Sequence, residues 1–391
     1  LSHRNLIRAL VLFMAAGMVA AQSPVPAGSE AEKVAEGFQF VEGPVWMNGA
    51  LLFSDIPANK VYQWTEESGE SVFLSPSGNS NGLCLDRQGR LLLAQHGNRR
   101  VARLEEGGTQ TALATHYDGK RLNSPNDMTV ALDGSIYFTD PPYGLSNPSS
   151  SELGYSGIYR IAPDGTLTLL DKTLYRPNGI ALSPDEKKLY VNDSESRKIY
   201  RWDMQADFTA VNRTLFYSMT GSGAADGMKV DTEGRLYSSG PGGVWIFAPD
   251  GTLLDKIPVP ESVTNCNWGD EDRKALYITA GGSVYRIRLD AAGTAVNKPG
   301  TRLPGGFGLY PNYPNPFNPV TRISYELPSP GTVQFRIFDV SGRLVSFMDA
   351  GIRNEGLHFI EWDGKDRPAG QYACRMDAPG FSGTIKMTLV R

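Results

Sequence analysis

The chain has 391 residues, enough for a large core and for more than one domain. Its net charge of −4 lacks the basic footprint of a nucleic-acid binder, so nucleic acid is not expected among its partners. Three cysteines (Cys84, Cys266, Cys374) have no metal-ligating spacing and are too few, at an odd count, for a complete disulfide framework; they read as buried apolar thiols. With 43 glycines, 26 prolines and no long helical pattern, the composition points to an all-β chain.

Residues 1–21 read as a secretory signal peptide. Arg4 and Arg8 form a basic start, and residues 9–20 are apolar but too short to span a bilayer comfortably. Val19-Ala20-Ala21 offers small residues for cleavage. An exported protein with no permanent membrane span is the expectation.

From about residue 30 to 290 one phrase recurs: a polar loop, an apolar run, an Asp-containing turn, then a strand rich in Leu, Tyr and Phe. It returns at Gly82, Met128, Gly179, Gly227 and Cys266, after a first copy over 45–55 without the Asp-Gly turn. Six copies start near Glu42, Asn81, Asn126, Asn178, Asp226 and Asn265. A repeat of roughly 40 to 50 residues built from short strands marks a β-propeller. Each copy supplies about four strands, and Asp164-Gly165 and Asp250-Gly251 read as hairpin turns into the fourth. The expected fold is therefore a six-bladed β-propeller over 30–290. The stretch 34–41 is expected to close the ring as the outer strand of the last blade.

Residues 291–307 read as a linker. The run Tyr310-Pro311-Asn312-Tyr313-Pro314-Asn315-Pro316-Phe317-Asn318-Pro319 then excludes a helix or a central strand. Strand patterns follow at 321–327, 332–339, 343–347, 356–362, 370–376 and 384–390. They predict a small C-terminal β-sandwich over 308–391.

In a propeller the start of each innermost strand faces the central channel. Those positions hold Glu42, Asn81, Asn126 with Asp127, Asn178, Asp226 and Asn265. Taken singly, an Asn-Gly or Asp-Gly pair reads as a turn. The same register repeated in blade after blade reads as a site. Carboxylates and amide carbonyls are hard oxygen donors, suited to Ca²⁺ or Mg²⁺. Glu42 and Asp226 together balance a divalent charge. One divalent cation is expected, Ca²⁺ foremost, with Mg²⁺, Mn²⁺ or Zn²⁺ as alternatives. His96, after the strand at 91–93, reads as a substrate-binding or proton-shuttling residue at the channel mouth, or as a histidine hydrogen-bonded between blades. His116 and His358 read as structural residues. Gly221-Ser222-Gly223 is only a fragment of a nucleophile elbow, with no helix pattern behind it.

Two resemblances sharpen these readings. Glu42-Gly43-Pro44-Val45-Trp46, Ser124-Pro125-Asn126-Asp127, Arg176-Pro177-Asn178-Gly179-Ile180-Ala181 and Asp226-Gly227-Met228-Lys229-Val230-Asp231 resemble the SMP-30/gluconolactonase family of six-bladed propellers. The resemblance implies a metal-dependent lactonase acting on a gluconolactone-like substrate. It implies Glu42, Asn178 and Asp226 as metal ligands and Asn126 as a substrate contact. His96 to Arg100 and Arg121 to Pro125 resemble bacterial members, which adds Arg121 as a substrate-binding candidate. Animal members carry an arginine where this chain has Ser124. In the expected reaction a water attacks the lactone carbonyl and a carboxylate, Asp226 or Asp127, takes its proton. Two other functions compete: an ester or organophosphate hydrolase on the same metal, and a cell-surface binding propeller whose ion is structural.

The second resemblance lies in the tail. The 310–319 run, with Thr321, Ile323, Tyr325, Leu327, Asp339, Gly342, Arg343, Trp362, Gly370, Tyr372 and Lys386-Met387, resembles the type A C-terminal sorting domain of the type IX secretion system. It implies the secretion machinery as a partner and an extracellular or cell-surface product.

Overall fold

Six four-stranded antiparallel sheets follow one another around a central axis, in a computed structural model that describes residues 22–390 except 206–207, 295–306, 311, 313–314 and 355. The leader expected over 1–21 and most of the linker expected over 291–307 lie outside the described residues. Blades 1 to 5 span 41–74, 80–114, 128–171, 177–218 and 228–258. Each runs in sequence order from the innermost strand outward. Blade 6 takes three strands from 263–288 and its fourth from the chain start, Glu32–Glu36, paired with Ser283–Arg288.

The closing strand thus lies earlier than the expected 34–41. The chain leaves it and crosses toward the axis, with Phe38 N and Val41 N donating to Gly282 O and Gly281 O. Val41 already opens the innermost strand of blade 1. The closure leaves blade 6 without a bare edge and ties the first strand to the last sheet.

Burial follows position in the blade. The innermost strands Ser80–Leu85 and Val263–Gly269 are buried at every residue, whereas the outer strand Gly69–Leu74 is largely open to solvent. Apolar clusters fill the gaps between blades. Val45, Leu52, Val61, Leu83 and Leu93 join blades 1 and 2, and Ala35, Val41, Phe53, Tyr277 and Val284 join blades 6 and 1. Each fully buried side chain of this size contributes about 1.5–3 kcal/mol. The hairpins between the first and second strands share a device: Asp86 Oδ1 accepts from Gln88 N and Arg90 N, and Arg90 Nε donates to Asp86 Oδ2. Asp231 repeats the pattern with Glu233 and Arg235.

The tail forms two sheets. One holds Gly308–Leu309, Val320–Leu327 and Gly356–Asp363; the other holds Leu344–Arg353, Gly331–Asp339, Gly370–Ala378 and Phe381–Leu389. Ile323, Tyr325, Phe335, Ile337, Trp362 and Met387 pack between them as a β-sandwich core. Val333 to Phe338 alternates buried and half-buried residues, as a strand with one covered face must. Arg322 of the tail lies 3.7 Å from Glu186, and Arg87 lies over the Tyr310 ring. Both propeller partners sit on the hairpins opposite the mouth of the channel described next. All three cysteines are free and buried. Among the described residues no helix is long and apolar enough to cross a membrane.

Candidate active site

The polar register converges at the axis. Asn265 on blade 6 donates from Nδ2 to Glu42 Oε2 on blade 1 at 3.0 Å, and reaches Asp127 Oδ2 on blade 3 at 3.4 Å. Blades 3 and 6 face each other across a six-bladed ring, so these contacts span the channel. Asp226 on blade 5 feels the charges of Glu42 and Asp127 and takes a hydrogen bond from Asn178 on blade 4.

Local backbone explains how the residues point inward. A register shift interrupts the pairing of the innermost strand beside Glu42, beside Asn178 and beside Asn265. A bulge of this kind re-aims a side chain that regular pleating would turn into a blade. The glycines that follow serve close approach rather than turning. A Cβ on Gly179 would fall 2.2 Å from Asp226 O, and one on Gly227 would strike the Asn265 side chain at 1.9 Å. The Asn-Gly and Asp-Gly pairs here lie where one blade's inner strand presses on the next, which the turn reading of such pairs does not cover.

Electrostatics single out the same residues. Glu42 is buried, and loss of water together with the nearby Asp127 charge lifts its pKa to about 7. Burial, then the Glu42 and Asp127 charges, raise Asp226 well above the ordinary carboxylate range. Asn178 Oδ1 and Asp226 Oδ1 are out of solvent and have no hydrogen-bond partner. Leaving a buried acceptor unpaired costs about 1–3 kcal/mol. Two carboxylates and an amide, with two orphaned oxygens among them, fit a hard oxygen-seeking cation. Glu42, Asn178 and Asp226 are the residues that could hold it. Among the described residues no three His, Cys, Asp or Glu side chains are grouped to hold an ion by themselves, so the Asn178 amide is needed to complete this set.

Asp127 differs from Asp226. Its Oδ1 accepts from Met128 N at 2.8 Å, and its Oδ2 faces Asn265 and the ammonium of Lys229, 3.3 Å away. Both of its oxygens are engaged, whereas Asp226 keeps one free and is only partly buried. Asn126 is buried beside this group, its backbone paired with Thr139 O and Gly82 N. His96 is buried and its Nε2 lies 3.2 Å from Asn81 Nδ2, an amide that can only donate. The ring proton therefore belongs on Nδ1, and burial lowers the pKa to about 4. Arg121 stands apart from the cluster: it is exposed on a short hairpin, and its Nη2 donates to Asn98 O at 3.3 Å.

Sequence reasoning missed three contributors. Ser124, at the position of the absent arginine, clamps a loop: its Oγ donates to Pro141 O and accepts from Gly144 N. That loop carries Tyr143, which hydrogen-bonds Ser194 and feels the Asp226 charge. Arg176 lies against the Tyr143 ring at 5.2 Å, and its buried Nε and Nη1 have no hydrogen-bond partner. Its signal was adjacency, because it directly precedes the Pro177-Asn178 pair. The third is Lys229, which the sequence offers only as one residue of the Asp226 to Asp231 run.

The family model for the SMP-30/Gluconolactonase/LRE-like region matches residues 40–282. The chain belongs to the SMP-30/gluconolactonase family. It is 39% identical over 292 residues to a gluconolactonase of Zymomonas mobilis, covering 67% of this chain and 82% of the relative. A solved gluconolactonase of Xanthomonas campestris is 36% identical, with a TM-score of 0.64 over 68% of this chain and 91% of that one. A solved calcium-binding regucalcin of Agrobacterium tumefaciens, at 20% identity and a TM-score of 0.59, covers 68% of this chain and 96% of its own and shares the fold. These gluconolactonase relatives support a lactone hydrolase, a carboxylic-ester hydrolase, for the SMP-30/gluconolactonase propeller of this chain.

Proposed function

We propose that the chain is an exported, divalent-cation-dependent lactonase that opens a sugar-type lactone to its hydroxy acid. The observation that carries this reading is the meeting of Glu42, Asn178 and Asp226 at the axis with two unpartnered oxygens. A cation held there supplies charge stabilisation for the lactone carbonyl oxygen as it becomes an oxyanion. Ca²⁺ is the favoured ion, given the oxygen-only donors and the calcium-binding regucalcin of the same fold.

The protein's own residues do the rest. Asp226 accepts a proton from the attacking water as the new C–O bond forms, through the carboxylate oxygen that the cation does not take. The ring C–O bond breaks and the leaving alkoxide takes the proton back, which gives one carboxylic acid and one hydroxyl. Asp127, with both oxygens engaged, shapes the field around Asp226. Asn126 and neutral His96 line the mouth for substrate hydroxyls. The Arg176 fork beside Tyr143 supplies donors that the missing arginine at position 124 does not. The tail, by its sequence pattern, is an address for type IX export, leaving the product outside the cell or on its surface.

A panel of aldonolactones tests the reading with protein stripped of metal and refilled with Ca²⁺, Mg²⁺, Mn²⁺ or Zn²⁺. Turnover restored by one of these ions is expected. Failure to open any lactone with every ion would leave the binding-propeller reading standing.

A further inference from the structure

Lys229 is a costly residue in its position. It projects from the short inner strand Met228–Val230 of blade 5, between two buried apolar neighbours. Its side chain is 15% exposed and its partner Asp127 only 1%. The ammonium donates to Met228 O of its own strand at 2.9 Å and reaches across to Asp127 Oδ2 on blade 3 at 3.3 Å. Removing an ammonium from water costs several kcal/mol unless its charge is matched. Burial alone would weaken its hold on the proton, and the Asp127 carboxylate outweighs that.

Charge counting shows what the lysine answers. Glu42, Asp226 and Asp127 bring three carboxylates to one buried cluster. One divalent cation cancels two charges and leaves a third. The oxygens divide in the same way. Asp226 Oδ1 and Asn178 Oδ1 are unpartnered, while both oxygens of Asp127 are spent on Met128, Asn265 and Lys229. Beyond Lys229 a cavity of about 400 Å³ opens on the opposite face of the ring, lined by Trp46, Leu85, Thr129, Ala181 and Lys229 itself. Without the lysine, an ion entering from that side would meet Asp127.

We propose that Lys229 is a fixed second cation of the channel, holding Asp127 outside the ligand set and limiting the channel to one divalent ion. It is a positioning residue, and the inference rests on the one-cation reading above.

Calorimetric titration of the full, metal-stripped chain with Ca²⁺, alongside melting in EDTA, tests it. The wild type should bind one Ca²⁺. Lys229→Met should melt lower in EDTA and take up a second Ca²⁺, while Lys229→Arg, which keeps the charge, should stay at one. The double variant Asp127→Asn/Lys229→Met should return to one ion and recover most of the lost melting temperature. A Lys229→Met protein that binds one ion at wild-type affinity and melts as the wild type does would overturn the proposal, as would a double variant that recovers nothing. Should Lys229→Met not fold, Asp127→Asn alone decides. It leaves the ammonium unmatched beside the ligand set, so Ca²⁺ affinity should fall by about tenfold or more, and unchanged affinity would sink the idea. Lactone turnover, measured separately, reports on the hydrolase reading, so either can fail without the other.

Discussion

The propeller and the tail are built from the same parts. Both are short antiparallel strands, and both use the same turn. Asp339 in the tail accepts from Ser341 N and Arg343 N and pairs with Arg343 Nε, as Asp86 and Asp231 do with their arginines in the propeller. What they bury differs. The propeller axis encloses Glu42, Asp127, Asn126, Asn178 and Asn265, whereas the buried polar residues of the tail, among the described ones, are Asn312, Thr321 and Ser324. None of these three is ionisable. The buried structural carboxylates of the propeller, such as Asp86 and Asp231, sit singly in hairpins with their oxygens taken by backbone N–H groups and an arginine. Where three converge, with orphaned oxygens, the cost is being met for chemistry.

The largest expected effect attacks that contrast directly. Asp226→Asn should lower kcat by about 10²–10⁴-fold, the range typical of a lost general base. The metal-free variant should melt no lower than wild type at pH 8. The sign follows from the raised folded-state pKa of Asp226: ionisation there costs stability as pH climbs above the ordinary carboxylate value, and the amide removes that cost. A variant with near-normal kcat would mean that the buried carboxylate is structural after all.

His96 gives the next largest effect, and its sign is opposite. Its pKa falls from 6.5 to about 4 in the fold, so below pH 6.5 the unfolded chain takes up a proton that the folded chain refuses. Stability is complete above pH 6.5 and declines until about pH 4, by roughly 3 kcal/mol from this group. His96→Gln should lose that component, so the gap between the two proteins in urea titrations should change over that window. A constant gap would show that the imidazole is not held neutral. Slightly smaller is the effect of the cation. At a hundredfold excess over Kd, Ca²⁺ should stabilise the wild type by about 2.7 kcal/mol, and Glu42→Gln should reduce the gain in thermal melting. An equal gain in the variant would remove Glu42 from the ligand set.

Much of this architecture was legible because repetition amplifies weak signals. No single Asn-Gly pair marks a channel, but Asn81, Asn178, Asp226 and Asn265 in one register do, and the closing strand was off by only a few residues. Lys229 was hidden for the opposite reason. In Met228-Lys229-Val230 the alternation reads as a half-buried strand, with the lysine on a solvated face. A comparison across blades held the missing signal, since the same register carries the short side chains Thr129 and Ala181, which line the lower cavity with it. Arg121 misled because a loop motif fixes which residues are near the mouth, not which way each points. Its guanidinium turns to Asn98, while Arg176, two residues before Asn178, lies beside Tyr143 with Glu195 at 4.0 Å and two buried N–H groups without hydrogen-bond partners.

The smallest expected effect on the site is none, and it comes from the tail. Phe335 is fully buried between the two tail sheets, against Tyr325. Phe335→Ala should cost the sandwich about 3–5 kcal/mol through lost burial and a cavity. Arg322 at Glu186 and Tyr310 at Arg87 join the tail to propeller hairpins remote from Glu42, Asn178 and Asp226. Loosening the sandwich acts on the face of the ring away from the mouth, so kcat/KM for the preferred lactone should stay within about twofold of wild type, a change worth less than about 0.5 kcal/mol. Limited proteolysis should meanwhile cut the variant tail faster than the wild-type tail. A loss of turnover that tracks the loss of tail structure would show the two regions to be coupled, and would end the division between a ring that carries chemistry and a sandwich that does not.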